Sequence, residues 1–222
     1  SGEKVRQVLG WDAAIRTPVS DSDDLVNAED VNPMNQAVQD VPVDVAAVFS
    51  RVRQAQPALR ALSVRERLVY VHRLNDLVRD EREAIVTRIQ QETGKSRTDA
   101  LISEFFPLLE HFEFLIKYAE KALADETVPT PLAMMGKKSR VYYEPLGTIL
   151  VISPWNYPFY QALTPITAAL VTGNTVVYKP SEITPLEGLV ESFLERAGVP
   201  EDWVQIVYGA GDLGCRLIDQ RP

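Results

Sequence analysis

The chain has 222 residues, of which 45% are hydrophobic and 24% charged, a composition that excludes wholesale disorder. Its 23 basic and 31 acidic residues give a net charge of −8, which argues against a nucleic-acid partner. No run of 18 apolar residues is present, so no transmembrane segment is expected.

The first ten residues are charged and polar, so no signal peptide is expected either. A single cysteine, Cys215, excludes an internal disulfide and any multi-thiolate metal centre, and it suggests a reducing, cytoplasmic setting. No His/Cys/Asp cluster has metal-ligand spacing, so no metal site is expected.

Residues 1–42 form an acidic arm. Residues 1–50 carry 3 basic against 9 acidic side chains, a net of −6, whereas residues 51–100 carry 11 against 7, a net of +4. The arm reads as solvated and loosely ordered, or alternatively as a docking tail.

Residues 43–124 read as helical. Asp44 opens a segment with Val45, Val48, Val52 and Ala55 at spacings of three and four. Ser63 followed by Glu66 has capping-box spacing. The helix it opens is expected to carry Leu68, Val71, Leu74, Val78 and Ile85 on one face. Thr93-Gly94-Lys95 punctuates it. Another helix should bury Leu101, Phe105, Leu108, Leu109, Phe112, Leu115 and Ile116, with Pro107 kinking it. His72 and His111 stand alone in this region.

Residues 125–145 break the helical period and predict a two-stranded hairpin. Val128-Pro-Thr-Pro131 is extended, Gly136-Lys137-Lys138 is turn-like, and Arg140–Tyr143 reads as a strand.

Residues 146–222 predict β-α-β-α-β-α. The strands are Thr148–Ile152, Thr175–Tyr178 and Val204–Tyr208, and the helices span about Tyr160–Val171 and Leu186–Ala197, with a last one after Gly209. The first strand is a continuous β-branched and apolar run, as a strand covered on both faces requires. The fold class is therefore α/β with a doubly wound parallel sheet.

Ligands of such sheets sit beyond the carboxyl ends of the strands, so three loops are candidates. In the first, Ser153-Pro-Trp-Asn-Tyr-Pro158, Asn156 either donates to a developing oxyanion or bonds nearby backbone. In the second, Lys179-Pro180-Ser181-Glu182, an ammonium and a carboxylate either grip a ribose or form a surface ion pair. The third, Gly209-Ala-Gly-Asp-Leu-Gly214, follows a strand and opens a helix, as a dinucleotide fingerprint should. Asp212 opposes a phosphate there, and tight packing alone explains such glycines equally well. Cys215 is expected to be a small buried hydrophobe.

Glu144-Pro-Leu-Gly-Thr-Ile-Leu-Val-Ile-Ser-Pro-Trp-Asn-Tyr-Pro-Phe159 resembles a hallmark segment of the aldehyde dehydrogenase superfamily. Gly173-Asn-Thr-Val-Val-Tyr-Lys-Pro-Ser-Glu182 and Glu92-Thr-Gly-Lys95 resemble two more, in the family's order. The resemblance implies NAD(P)-dependent oxidation of a small-molecule aldehyde to a carboxylate, with NAD as cofactor and NADP possible. It implies that Asn156 steadies the oxyanion and that Ile152, Ser153, Pro154 and Trp155 line the cofactor cleft. It assigns Lys179 and Glu182 to the adenosine ribose, Pro180 and Ser181 to the cofactor-binding loop between them, and Gly211 to the adenine side. The pyrophosphate is then not held by Gly209–Gly214 in the usual fingerprint manner.

Residues 125–145 correspond to the start of the family's oligomerisation element, implying a homodimer or homotetramer. The family's nucleophilic cysteine and general-base glutamate fall outside the matched region. The fold is therefore expected to be incomplete, with a further strand due after Pro222 and no turnover by these 222 residues alone. A relative that acylates coenzyme A or runs reductively, or a non-catalytic nucleotide-binding or assembly fragment, is the alternative.

Overall fold

A computed structural model describes residues 43–220, so the acidic arm lies outside the described residues. Helix α1 (Val45–Ala61) starts where the Asp44 side chain accepts from the Ala47 N–H, which satisfies one of the orphan amides of the first turn. Helix α2 (Val64–Asp80) carries a full capping box: Ser63 accepts from the Glu66 N–H, and Glu66 accepts from the Ser63 N–H at 2.7 Å.

The long helix expected to reach Ile85 is two helices. Glu81, at φ −104° and ψ 23°, interrupts it, and α3 (Arg82–Thr93) begins afresh. Val78 and Ile85 are seven residues apart, two helical turns, so the apolar period runs across the break without registering it. Gly94 then caps α3 in the left-handed region at φ 70°.

A short helix α4 (Arg97–Ala100) leads into a π-helical turn (Leu101–Phe105) and helix α5 (Phe106–Ala122). The turn takes the place of the expected kink. Pro107 has no N–H and its ring crowds the preceding turn, and the Phe106 N–H instead reaches Leu101 O. Leu101 and Ile116 are partly buried, while the other expected residues of this face are buried.

Strands β1 (Glu126–Val128) and β2 (Ser139–Val141) pair antiparallel, Glu126 opposite Val141, so the expected hairpin forms with a shorter second strand. Strands β3 (Thr148–Ile152), β4 (Thr175–Lys179) and β5 (Val204–Ile206) form a parallel sheet in that order. Helix α6 (Pro158–Val171) joins β3 to β4 and begins two residues earlier than expected, with Pro158 in its first turn. Helix α7 (Leu189–Arg196) begins later than expected, because Leu186 and Gly188 both have positive φ, 46° and 78°. Helix α8 (Gly211–Ile218) follows β5.

Central strand β4 is buried along its whole length. Its side chains alternate between two cores. Val176 and Tyr178 join the large core containing α2, α5, α6 and α7. Val177 joins Val45, Phe49 and Val52 of α1 and Leu213 and Leu217 of α8 on the opposite face. Helices thus cover both faces, which leaves the strand ends and their loops as the accessible edge.

Candidate functional site

Loop one leaves β3 anchored. The Ser153 N–H donates to Lys179 O at 3.1 Å, and the Ser153 hydroxyl lies 2.8 Å from the Tyr178 hydroxyl. Burial, partly offset by that hydrogen bond, pushes the Tyr178 phenol up to about 12. Ser153 is buried, whereas Ile152, Pro154 and Trp155 are exposed. Asn156 is half-buried, and its Oδ1 accepts from Gln161 Nε2 at 3.4 Å.

Loop two begins with a residue that is not a surface lysine. Lys179 is only 3% exposed, and its ammonium donates to Pro180 O at 3.2 Å and to Glu182 Oε2 at 3.4 Å. Glu182 keeps nearly half of its side chain in solvent. Its own backbone N–H, and then Lys179, hold its carboxyl below the usual range against some desolvation, so it is ionised at neutral pH. A surface ion pair opening the next helix is therefore excluded, since α7 starts seven residues later. Pro180 and Ser181 are buried, and Ser181 Oγ accepts from the Ile183 N–H in a tight local turn. An ammonium and a carboxylate so placed can donate to one hydroxyl and accept from its neighbour.

Loop three divides the roles of its glycines. A Cβ on Gly209 would lie 2.7 Å from Leu213 Cδ2, so packing alone forbids a side chain there. Gly211 is different: a Cβ would meet nothing within 4 Å, and the backbone is open to solvent. Gly214 has Lys179 Cδ and Ile152 Cδ1 as the nearest neighbours of its missing Cβ, at 3.9 and 4.0 Å. The three loops therefore converge, with Lys179 between the first strand end and α8.

The expectation of a buried Cys215 is wrong, since this thiol is exposed. Helix α8 turns Leu213 and Leu217 inward, and a residue two positions after Leu213 points roughly 200° away. His111 bonds Thr167 at 3.1 Å and burial pushes its imidazole down, far from any second ligand residue. Among the described residues, no group of three or more His, Cys, Asp or Glu side chains has the arrangement to hold a metal ion, and no helix is long and apolar enough to cross a membrane.

Sequence reasoning missed the groups that hold the loops from outside. Glu104, in the π-helical turn, is completely buried. Its Oε1 accepts from Lys95 Nζ at 2.5 Å, and its Oε2 accepts from the Phe159 and Tyr160 N–H groups at 2.8 and 3.4 Å. Lys95 Nζ also donates to Asn156 O at 2.5 Å and sits 4.3 Å from the Tyr157 ring centroid. Glu92 accepts from the Leu186 N–H at 2.7 Å and pairs with Arg88. Thr184 Oγ1 donates to Trp155 O at 2.8 Å and so ties loop two to loop one. One signal was available: Glu104 lies midway between Ala100 and Leu108, four residues from each, on a buried stripe.

An open sheet with helices on both faces, and with a buried lysine and an ionised carboxylate at its carboxyl edge, places the chain in the doubly wound α/β class. The chain belongs to the aldehyde dehydrogenase family, whose model matches residues 20–221. It is 35% identical over 183 residues to 4,4'-diapolycopene aldehyde oxidase of a Methylomonas species, covering 82% of this chain and 34% of that protein. It is 32% identical over 187 residues to a probable coniferyl aldehyde dehydrogenase of Pseudomonas aeruginosa, covering 83% and 39%. A putative NADP(+) succinate-semialdehyde dehydrogenase of Mycobacterium ulcerans is 36% identical, with 79% and 34% covered.

Among solved structures, proline utilization A of Bradyrhizobium japonicum superposes with a TM-score of 0.71 at 27% identity, covering 78% of this chain and 18% of that one. An aldehyde dehydrogenase of Brucella melitensis superposes at 0.69 and 26% identity, covering 77% and 35%. The chain spans between a third and two fifths of the length of these curated relatives.

Proposed function

We propose that this chain supplies the cofactor cleft and the oxyanion donor of an NAD(P)-dependent dehydrogenase that oxidises an aldehyde to a carboxylic acid. The observation that supports the reading is that the loops carrying Asn156, the Lys179–Glu182 pair and open Gly211 leave the same ends of three parallel strands, with Gly214 beside Lys179 and Ile152. The donor chemistry fits the cofactor. Lys179 would donate to, and ionised Glu182 would accept from, the ribose hydroxyls; Ile152, Ser153, Pro154 and Trp155 would line the cofactor; and Pro180 and Ser181 hold the turn between the two charges. Gly211 lets the adenine side approach the backbone.

The bound cofactor supplies a hydride acceptor. Asn156 contributes Nδ2 donors, fixed because Gln161 occupies its Oδ1, aimed at the oxygen where charge develops as a nucleophile adds to the carbonyl. The nucleophile is a family cysteine other than exposed Cys215, and it belongs to the part of the relatives that these residues do not match. Glu182 faces any 2′-phosphate with a full negative charge, which favours NAD, although relatives bearing NADP(+) in their names keep NADP in contention.

Titration of NAD+ into the 222-residue chain, followed by Trp155 fluorescence and calorimetry, tests the reading. Saturable one-site binding, weakened about 10- to 100-fold in Lys179→Met, with NADP+ weaker than NAD+ and no aldehyde oxidation, is expected. Absence of NAD+ and NADP+ binding, or unchanged affinity in Lys179→Met, would overturn it.

The hairpin is further proposed to mediate a homodimer or homotetramer, because it exposes several large apolar side chains, among them Leu132, Met135 and Tyr142. Sedimentation equilibrium on Leu132→Ser/Met135→Ser tests it: dissociation supports the hairpin interface, and an unchanged assembly contradicts it.

A further inference from the structure

We propose that Lys95 and Glu104 are positioning residues for Asn156, acting through the loop backbone rather than by touching substrate. The inference rests on the reading of Asn156 as oxyanion donor. Its basis is a single ion pair whose two members both hold backbone at and just after that residue. On one side, Lys95 bonds the Asn156 carbonyl itself and lies over the next ring, Tyr157. On the other, Glu104 takes the Phe159 and Tyr160 amides, two of the orphan N–H groups at the start of α6. Asn156 is therefore held by its own carbonyl and by the anchored helix start two residues further along the chain.

The energetics favour positioning over stability as the role. A buried ion pair gains little over a well-packed apolar pair, because desolvating both charges offsets their attraction. Glu104 is wholly buried and the Lys95 side chain is 17% exposed, so both charges carry that cost. What the pair supplies is direction. The carboxylate is drawn to the helix N-terminus, where the peptide dipoles favour negative charge. The ammonium follows the carboxylate, and the Asn156 carbonyl follows the ammonium. The π-helical turn aids this by placing Glu104 inward at a point where a regular helix would be interrupted by Pro107.

Thr93 and Gly94 set the Lys95 end. The Lys95 N–H donates to Thr93 Oγ1 at 3.2 Å, and Gly94 takes the left-handed conformation that turns the chain toward the loop. The short Glu92–Lys95 turn thus holds loop two by its first residue and loop one by its last.

The test compares steady-state kinetics of Asn156→Ala, Lys95→Met, Lys95→Arg, Glu104→Gln and Asn156→Ala/Lys95→Met in the protein as its own cells make it. Asn156→Ala should lower kcat by about 100- to 1,000-fold. Lys95→Met and Glu104→Gln should each lower kcat about tenfold or more with KM for NAD(P) within about twofold, and Lys95→Arg should recover part of the loss. The double variant should be no slower than Asn156→Ala alone, because Lys95 acts through that amide.

Multiplicative losses in the double variant, or wild-type kcat in both Lys95→Met and Glu104→Gln, would overturn the inference. Wild-type kcat in Asn156→Ala would instead overturn the oxyanion reading itself. Should Lys95→Met fail to fold, the near-isosteric Glu104→Gln carries the comparison, with its melting temperature measured alongside.

Discussion

The strand-end loops and the β1–β2 hairpin are both irregular excursions from a helical body, yet they are held in opposite ways. The loops are tied by side chains from distant elements: Lys95 to Asn156, Thr184 to Trp155, and Glu92 to Leu186. Lys179 and Thr184 within them are almost fully buried. Apart from the exposed Arg60–Glu144 pair at its end, the hairpin's side-chain bonds are its own, Thr130 with Ser139 and Tyr143 with Glu126, and it exposes Leu132 and Met135 at 86% and 83%. The contrast teaches that irregular backbone is made precise here by cross-element polar contacts, and that without them the same freedom is left for another surface to use.

The largest expected effect separates two tyrosines. Tyr178, beneath loop one, has its phenol pushed up to about 12 by burial, whereas an unfolded tyrosine ionises near 10. Between those values the unfolded chain binds fewer protons than the folded one, so stability falls as pH rises. The loss should reach about 2 kcal/mol by pH 12. Urea melts from pH 9 to 12 should show it, and Tyr178→Phe should remove its share of the fall, the rest coming from Tyr208, whose phenol is also raised by burial and by Glu191. Tyr143 of the hairpin is also raised, by its hydrogen bond to Glu126, but it is exposed, and Tyr143→Phe should leave the profile unchanged.

Next come two glycines of similar conformation. Gly173 has φ 86°, and a Cβ there would sit 3.0 Å from Arg67 Nη1, whose guanidinium holds Val171 O and Leu62 O. Gly136 of the hairpin has φ 89° with nothing within 4 Å. Gly173→Ala should cost about 2 kcal/mol through strain and contact together, and Gly136→Ala about 1 kcal/mol through backbone strain alone. Equal losses in denaturant melts would contradict the contrast.

The smallest effect is on the hairpin's exposed side chains. Leu132→Ser/Met135→Ser should alter the stability of the monomeric fold by no more than about 0.5 kcal/mol. A cost above about 2 kcal/mol by urea denaturation would mean that these residues pack within one chain.

Local chemistry was readable in the sequence. Ser63 with Glu66, Gly94 and Gly173 each follow rules confined to four or five residues, and the structure obeys them. The strands β3 and β4 were readable because their apolar runs are continuous, whereas β5, with Gln205 inside it, ends at Ile206, two residues short of the expected Tyr208. The break at Glu81 was not, since the apolar residues on either side keep helical spacing. Neither was the fate of lone charges. Glu104 and Lys95 look like ordinary helix and turn residues until packing brings α6 onto them, and Arg67 looks solvated until Val171 and Leu62 supply its acceptors. Lys179 illustrates the middle case: its pairing with Glu182 was local and anticipated, but its burial depends on α8 closing over the sheet edge.

The most direct measurement is a backbone NMR shift map of the 222-residue chain with and without NAD+. The account predicts shifts concentrated at residues 152–156, 179–182 and 211, with the β1–β2 hairpin unmoved. Shifts confined to other surfaces, with those three loops silent under saturating NAD+, would contradict it.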